Sequence, residues 1–200
     1  MVKATQLPSS NEIKYATANP LMREIIARFQ RRVVKRVSEL APEAILDIGC
    51  GEGQIAFALR GTCPQYTGVD VSEEAVTRAR QNVPEGAFKV ADARTLDLAR
   101  ETFDVAMCLE VLEHLEDPRA VLASLAGVRG KTYVLSVPWE PWFRYGNFLR
   151  GKYWRTLGNH PEHVQQFSPR SFRSLLAEYF DLPHVETCFP WIMATVRSRP

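Results

Sequence analysis

Carboxylates follow several apolar segments of this 200-residue sequence at intervals of about 20 residues. Asp70 ends the segment QYTGVD, Asp92 ends AFKVAD, and Glu110 lies near the end of FDVAMCLEV. If these segments are parallel strands, their carboxyl ends meet at the sheet edge where α/β proteins bind ligands. A carboxylate ending the second strand accepts from both hydroxyls of a ribose, and one on the next strand suits the amino edge of an adenine. A simpler interpretation is that Asp70 and Asp92 only cap the helices that follow.

A glycine-rich stretch, AILDIGCGEG (44–53), precedes these acids and carries Asp47 inside its apolar run. Its three alternating glycines are Gly49, Gly51 and Gly53. Glycine-rich turns after strands let a nucleotide approach the backbone. An NAD-dependent oxidoreductase is one interpretation, since Asp70 could also bind an NAD ribose. However, the GxGxxG fingerprint of that class needs a glycine at the position of Gln54, and Gly53 comes one residue early.

The elements that position these residues follow from hydrophobic periodicity and capping signals. Helices are predicted over 19–41, 54–61, 72–83, 117–126 and 168–180, and strands over 44–49, 65–70, 87–92, 103–111, 131–138, 184–190 and 192–198. Apolar strands that alternate with amphipathic helices predict a parallel sheet covered on both faces, closed by two strands that pair with each other.

Composition limits the remaining function classes. The length and a hydrophobic fraction of 46% predict a single domain over 1–200, with a loose N-terminal segment over 1–18. A net charge of +2 argues against a chain built mainly to bind nucleic acid. The sequence has no apolar run of bilayer length, its first 20 residues lack the apolar core of a signal peptide, and its four cysteines have no CxxC spacing. We therefore expect a cytoplasmic protein.

Four ordered motifs, LDIGCGEG, GVDVS, ADA and FDVAMCLEVLEHLEDP, resemble those of class I S-adenosylmethionine-dependent methyltransferases, in particular the ubiquinone-type O-methyltransferases. The resemblance implies a Rossmann-like, doubly wound α/β fold with a seven-stranded, mostly parallel sheet and an antiparallel last strand. It also implies S-adenosylmethionine as cofactor and S-adenosylhomocysteine as product. The residues it assigns to the methionine part, the ribose, the adenine and the methyl-donor pocket are Asp47, Gly49, Cys50, Gly51, Gly53, Asp70, Val71, Asp92, Ala93 and Leu109.

The phrase EVLEH places Glu110, Glu113 and His114 at i, i+3 and i+4, so on a helical turn they would share one face. Such a turn could hold a divalent ion against an acceptor hydroxyl, together with a distant histidine, as in metal-dependent relatives. It could instead be a metal-free site in which His114, or else His163, removes the acceptor's proton and Glu110 orients the acceptor, or a turn with a purely structural capping role. We favour the metal-free site and assign no metal ligand.

The segment 138–167 follows the fifth strand and contains three of the four tryptophans. It is either a flap packed on the domain, a lid over an aromatic or hydrophobic acceptor, or a shallow peripheral membrane contact. The sequence thus predicts methyl transfer to a small acceptor, with oxygen favoured as the methylated atom. The alternatives are a metal-dependent RNA-end methyltransferase and a non-catalytic cofactor-binding module. Binding to nucleic acid is not favoured, and the oligomeric state stays open.

Overall fold

The computed structural model describes residues 19–98, 101, 103–128, 131–140, 142 and 164–199. The segment expected to be loose, His163 and most of the 138–167 segment lie outside these residues. The helices are α1 (Pro20–Leu40), α2 (Gln54–Ala58), α3 (Glu73–Asn82), α4 (Pro118–Gly127) and α5 (Pro169–Tyr179). The strands are β1 (Ala44–Ile48), β2 (Gln65–Asp70), β3 (Ala87–Val90), β4 (Val105–Leu109), β5 (Thr132–Pro138), β6 (Phe180–Cys188) and β7 (Trp191–Ser198).

The seven strands form one sheet in the order β3-β2-β1-β4-β5-β7-β6. The pairs among β1 to β5 are parallel, and β7 runs antiparallel between β5 and β6. The predicted fold class, including the antiparallel last strand, is confirmed. Because the strand order reverses between β1 and β4, their carboxyl ends open a crevice of the kind in which α/β sheets bind ligands.

Alternate residues of the central strands enter two separate hydrophobic cores. On β1, Leu46 and Ile48 pack with α4 and α5, whereas Ile45 packs with α1 and α2. This alternation is expected of a sheet covered on both faces, because successive side chains of a strand point to opposite sides. Asp47 occupies a position on the α1 face, so its carboxylate interrupts an otherwise apolar surface.

Helix caps fix where the main elements begin. Asn19 caps α1 through its side-chain oxygen, and Ser72, Asp117 and Ser168 cap α3, α4 and α5, as predicted. Part of the basic face of α1 is neutralised, because Glu186 of β6 accepts from Arg36 at 2.9 Å and lies 3.6 Å from Arg32. In the part of the chain that the structure describes, no helix is long and apolar enough to cross a bilayer.

The structure corrects the prediction for the EVLEH turn. Strand β4 ends at Leu109, and only Leu112–His114 forms a short 3-10 helix, so Glu110 lies outside it. Glu110 instead has a left-handed backbone with φ of 57°. Glu113 is buried whereas His114 is exposed, so the three side chains do not share one helical face. The left-handed Glu110 lies between β4 and the 3-10 turn, so the helical i, i+3, i+4 spacing does not apply.

Candidate functional site

The glycine turn between β1 and α2 is tied to β2 by its backbone. The amides of Gly49 and Cys50 both donate to the carbonyl of Val69, at 2.8 and 3.0 Å. Gly49, Gly51 and Gly53 have φ of 78°, 53° and 77°, a left-handed conformation that favours glycine. The turn is therefore a rigid surface of bare backbone at the crevice, and Gly53 forms the N-cap of α2.

We expect Gly49→Ala to destabilise the protein by about 3 kcal/mol in urea unfolding, from left-handed strain and overpacking together. A Cβ at Gly49 would lie 2.3 Å from Cγ2 of Val111, a stiff side chain packed against the core. Gly61→Ala is the matched control, because Gly61 has φ of 74° but a Cβ added there would have no atom within 4 Å. The control should lose only about 1 kcal/mol. Equal losses in both variants would contradict the proposed contact with Val111.

Asp70 joins the end of β2 to the glycine turn. Its two carboxylate oxygens accept from the amides of Gly51 and Ser72, each at 2.9 Å. Because each oxygen has further lone pairs, the carboxylate can still accept from a ligand. Val71, the next residue, is 70% exposed and presents an apolar side chain beside it.

Asp47 is a buried acid at the end of β1, with only 3% of its surface exposed. The hydroxyl of Tyr66 on β2 donates to its Oδ2 at 2.5 Å. Burial raises the pKa of Asp47 to about 7, the hydrogen bond from Tyr66 opposes that rise, and the charge of Asp70 adds to it. Burial also raises the pKa of Tyr66, so its hydroxyl remains a donor.

Asp92 follows β3 and is engaged by Arg94. The guanidinium of Arg94 bonds both carboxylate oxygens, with Nη2 2.5 Å from Oδ2, and the Arg94 amide donates to Oδ1 at 2.9 Å. These side-chain and backbone hydrogen bonds lower the pKa of Asp92 to about 2. Ala93 is half-buried against the core. A ligand at Asp92 would therefore share its carboxylate with Arg94.

An open cleft at the crevice has about 510 Å³ of empty space, part of it open to solvent. Its lining residues are Phe29, Asp47, Gly49, Cys50, Gly51, Glu52, Gln54, Ile55, Leu109 and Glu110. Five predicted cofactor residues thus line one cleft, and Glu110 lies beside them. Asp70 adjoins it through Gly51, whereas Gly53 packs its backbone against Ala79 of α3.

Several residues at or beside the cleft were not identified as site residues from the sequence. Phe29 belongs to the apolar stripe of α1 and stacks on Trp191 at 4.7 Å, so its sequence signal is that of an ordinary core residue. Tyr66 likewise fits the apolar pattern of β2, so the sequence gives no sign that its side chain contacts the site. Glu52 is buried and pairs with Arg78 at 3.3 Å, a contact between distant positions that no local spacing reveals.

The EVLEH turn is connected to the far end of the 138–167 segment. The carbonyl of Glu113 accepts from the amides of Val164 and Gln165, at 2.9 and 3.1 Å. At the near end, the amide of Glu140 donates to the carbonyl of Phe167 at 2.9 Å. Among the described residues, no three His, Cys, Asp or Glu side chains converge as metal ligands do. His163, the second candidate base, lies outside those residues.

Comparisons with known proteins show which sequences and structures this chain resembles. Residues 46–131 match the family model described as a methyltransferase domain. The chain is 36% identical over 100 residues to a ubiquinone biosynthesis O-methyltransferase of Thiobacillus denitrificans, covering 48% of this chain and 43% of that protein. It is 38% identical over 108 residues to O-methyltransferase cnsE of Penicillium expansum, covering 50% and 39%. The chain thus matches only about two fifths of the length of these curated relatives.

A solved structure supports the fold. Magnesium protoporphyrin IX methyltransferase from Synechocystis PCC 6803, with bound S-adenosylhomocysteine, superposes with a TM-score of 0.66 at 21% identity. The superposition covers 94% of this chain and 97% of that one. The likeness therefore extends over the whole sheet and beyond the residues that the family model matches.

Proposed function

We propose that this chain is a class I S-adenosylmethionine-dependent methyltransferase that methylates an oxygen atom of a small aromatic or hydrophobic acceptor, and the match of residues 46–131 to a methyltransferase domain supports this proposal. The observation that carries the proposal is the set of carboxylates at three consecutive strand ends around one glycine turn. Asp47 lines the cleft, Asp70 accepts a hydrogen bond from the glycine turn, and Asp92 comes just after the end of β3. This donor set fits a ligand with an ammonium group, a ribose and an adenine.

In this proposal each part of the cofactor has its own partner. Asp47 binds the ammonium of the methionine part, because a buried carboxylate gains most from a positive charge. Asp70 accepts from the ribose hydroxyls while keeping its bonds to Gly51 and Ser72. Asp92 accepts from the adenine amino group, and Val71 supplies apolar surface for the ring. Leu109 and the glycine turn enclose the methyl-bearing end.

When bound, the cofactor supplies a methyl group that its positively charged sulfur has already activated. The chain must then hold the acceptor oxygen in line and remove its proton. Glu110 is held beside the cleft because its amide donates to the carbonyl of Ser136 at 3.0 Å. We assign it the role of orienting the acceptor. His114 would accept the proton of the acceptor hydroxyl, and His163 is the second candidate for this role. We propose that no metal takes part.

An aromatic cluster supports an aromatic acceptor. Trp139, at the end of β5, and Trp142 have ring centroids 6.2 and 6.3 Å from that of Phe189, in edge-on geometry. Trp142 and Phe189 are each 49% exposed, so this cluster keeps free apolar surface. It lies at the same sheet edge as the cleft, since the amide of Trp139 donates to the carbonyl of Pro190 next to β7. Edge-on rings of this kind favour a flat, apolar ligand.

A thermal-shift comparison tests the proposal. At 100 times its dissociation constant, S-adenosylhomocysteine should stabilise the protein by about 2.7 kcal/mol, which raises the Tm by roughly 5–10 °C. NAD should give no shift. A shift with NAD alone would overturn the cofactor assignment. A shift with S-adenosylhomocysteine but no methyl transfer to a panel of phenols and catechols would instead favour a non-catalytic cofactor-binding module.

A further inference from the structure

Asp47, which is buried and lines the cleft, forms a hydrogen-bonded pair with the half-buried Tyr66. Asp47 lies on β1 and Tyr66 on β2, and the tyrosine hydroxyl lies 2.5 Å from Oδ2 of the carboxylate. The Tyr66 ring is held in place by Phe88 on β3, with ring centroids 6.0 Å apart. The hydroxyl therefore approaches Asp47 from a fixed direction and leaves the carboxylate facing the cleft that it lines.

The groups around Asp47 give its negative charge little support. The titratable groups that interact with Asp47 or line the cleft with it are Tyr66 and Asp70 on β2, Cys50 in the glycine turn, Cys108 on β4, and Glu52 and Glu110 across the cleft, while α1 contributes the apolar Phe29 to that lining. None of these groups carries a positive charge. Tyr66 is the group among them whose hydrogen bond lowers the pKa of Asp47. The ligand-free carboxyl group, with a pKa of about 7, is therefore half protonated at neutral pH.

We propose that the Tyr66 hydroxyl is a positioning group that favours the ionised form of Asp47, the form that binds the ammonium of the cofactor, so that cofactor binding releases a proton from the Asp47 carboxyl groups that are still protonated. The proton passes from the Asp47 carboxyl group to solvent, and the ammonium keeps its own protons. This inference rests on the proposed binding of S-adenosylmethionine. It adds that the affinity for the cofactor depends on pH, and that this dependence involves Tyr66, which lies outside the methyltransferase motifs.

The test is calorimetric titration of S-adenosylhomocysteine into the wild-type protein and Tyr66→Phe at pH 6, 7 and 8. Removing the hydroxyl should raise the pKa of Asp47 by about one unit. The ratio of the two Kd values, variant over wild type, should then be about nine at pH 6, about five at pH 7 and about two at pH 8. Titration of the ligand's own amino group is common to both proteins, so it cancels in the ratio.

Two further variants separate positioning from packing. Tyr133→Phe removes another buried hydroxyl, which donates to the carbonyl of Leu125 at 2.5 Å, and its Kd ratio should be one at every pH. Asp47→Asn should bind S-adenosylhomocysteine weakly, and its Kd should lack the pH dependence that Asp47 contributes. In Asp47→Asn, the further change Tyr66→Phe should therefore produce a ratio that does not vary with pH.

The outcomes are distinguishable from failure of the proposed function. If the wild-type protein does not bind S-adenosylhomocysteine, the proposed function itself fails. If it binds and the ratio for Tyr66→Phe is constant from pH 6 to pH 8, Tyr66 has only a packing role and the inference is wrong. Proton release near neutral pH, measured in buffers of different ionisation enthalpy, should fall in Asp47→Asn. Unchanged release would also overturn the inference.

Discussion

Asp70→Ala is expected to raise the Kd for S-adenosylhomocysteine by roughly 100- to 10,000-fold. Two hydrogen bonds from ribose hydroxyls to a carboxylate are worth about 1.5–3 kcal/mol each, and 1.4 kcal/mol corresponds to tenfold in affinity. The substitution also removes the acceptor of the Gly51 and Ser72 amides, so the glycine turn loses one of its hydrogen bonds to β2. Calorimetric titration of the folded variant would measure both effects on binding together.

Asp104→Ala is the matched control for this prediction. Oδ2 of Asp104 also accepts from two backbone amides, those of Glu43 and Ala44 at 2.9 and 3.1 Å, but at the amino end of β1. We expect Asp104→Ala to lower the Tm while leaving the Kd unchanged. If both variants lost affinity equally, the effect at Asp70 would be one of general destabilisation, and its role as ribose acceptor would be refuted.

His114→Ala is expected to lower kcat by about 100- to 10,000-fold while the Kd for S-adenosylhomocysteine stays the same. The reason is that the proposed role of His114 is to accept the proton of the acceptor hydroxyl, whereas the residues proposed to hold the cofactor lie at the ends of β1, β2 and β3. Turnover is measured as formation of S-adenosylhomocysteine with the best acceptor from the panel of phenols and catechols.

His184→Ala is the control, because His184 is an exposed histidine on β6. Its kcat should match that of the wild type. The rate of the wild-type protein in EDTA distinguishes a base from a metal ligand. If turnover is lost in EDTA and restored by Mg²⁺, the metal-free proposal is contradicted. If His114→Ala keeps near-native turnover, His114 is not the base.

The sequence predicts the sheet well because strand periodicity and helix caps are local signals. Asp70 and Asp92 follow their strands at the expected sheet edge, and Ser72 caps α3 as predicted. The closing pair is predicted less accurately, since β6 begins at Phe180 rather than His184. Its pairing with β7 depends on contacts along the whole strand, with an irregularity between Asp181 and His184.

The site itself is only partly readable from sequence. Alternating glycines after a strand that carries an acid are typical of a nucleotide-binding turn, so Asp47 and Gly49 can be identified as site residues from the sequence. Tyr66 and Phe29 are not, because each fits the apolar pattern of its own element and reaches the cleft only through the register of β1 with β2 or the packing of α1. The prediction for the EVLEH turn is wrong because a left-handed residue, Glu110, precedes its single 3-10 turn.

The hydrogen bonds at the two ends of the 138–167 segment bear on how the acceptor preference of this protein can change. Phe167 is bonded to Glu140, and Val164 and Gln165 are bonded to Glu113, so the sheet and its neighbouring turn already hold the two ends in place. Lengthening a flexible chain between two fixed ends costs little, about 0.6 kcal/mol of loop-closure free energy for each doubling of its length. We propose that selection for a new acceptor can act between these ties, while the hydrogen bonds of Asp70 to the glycine turn stay in place.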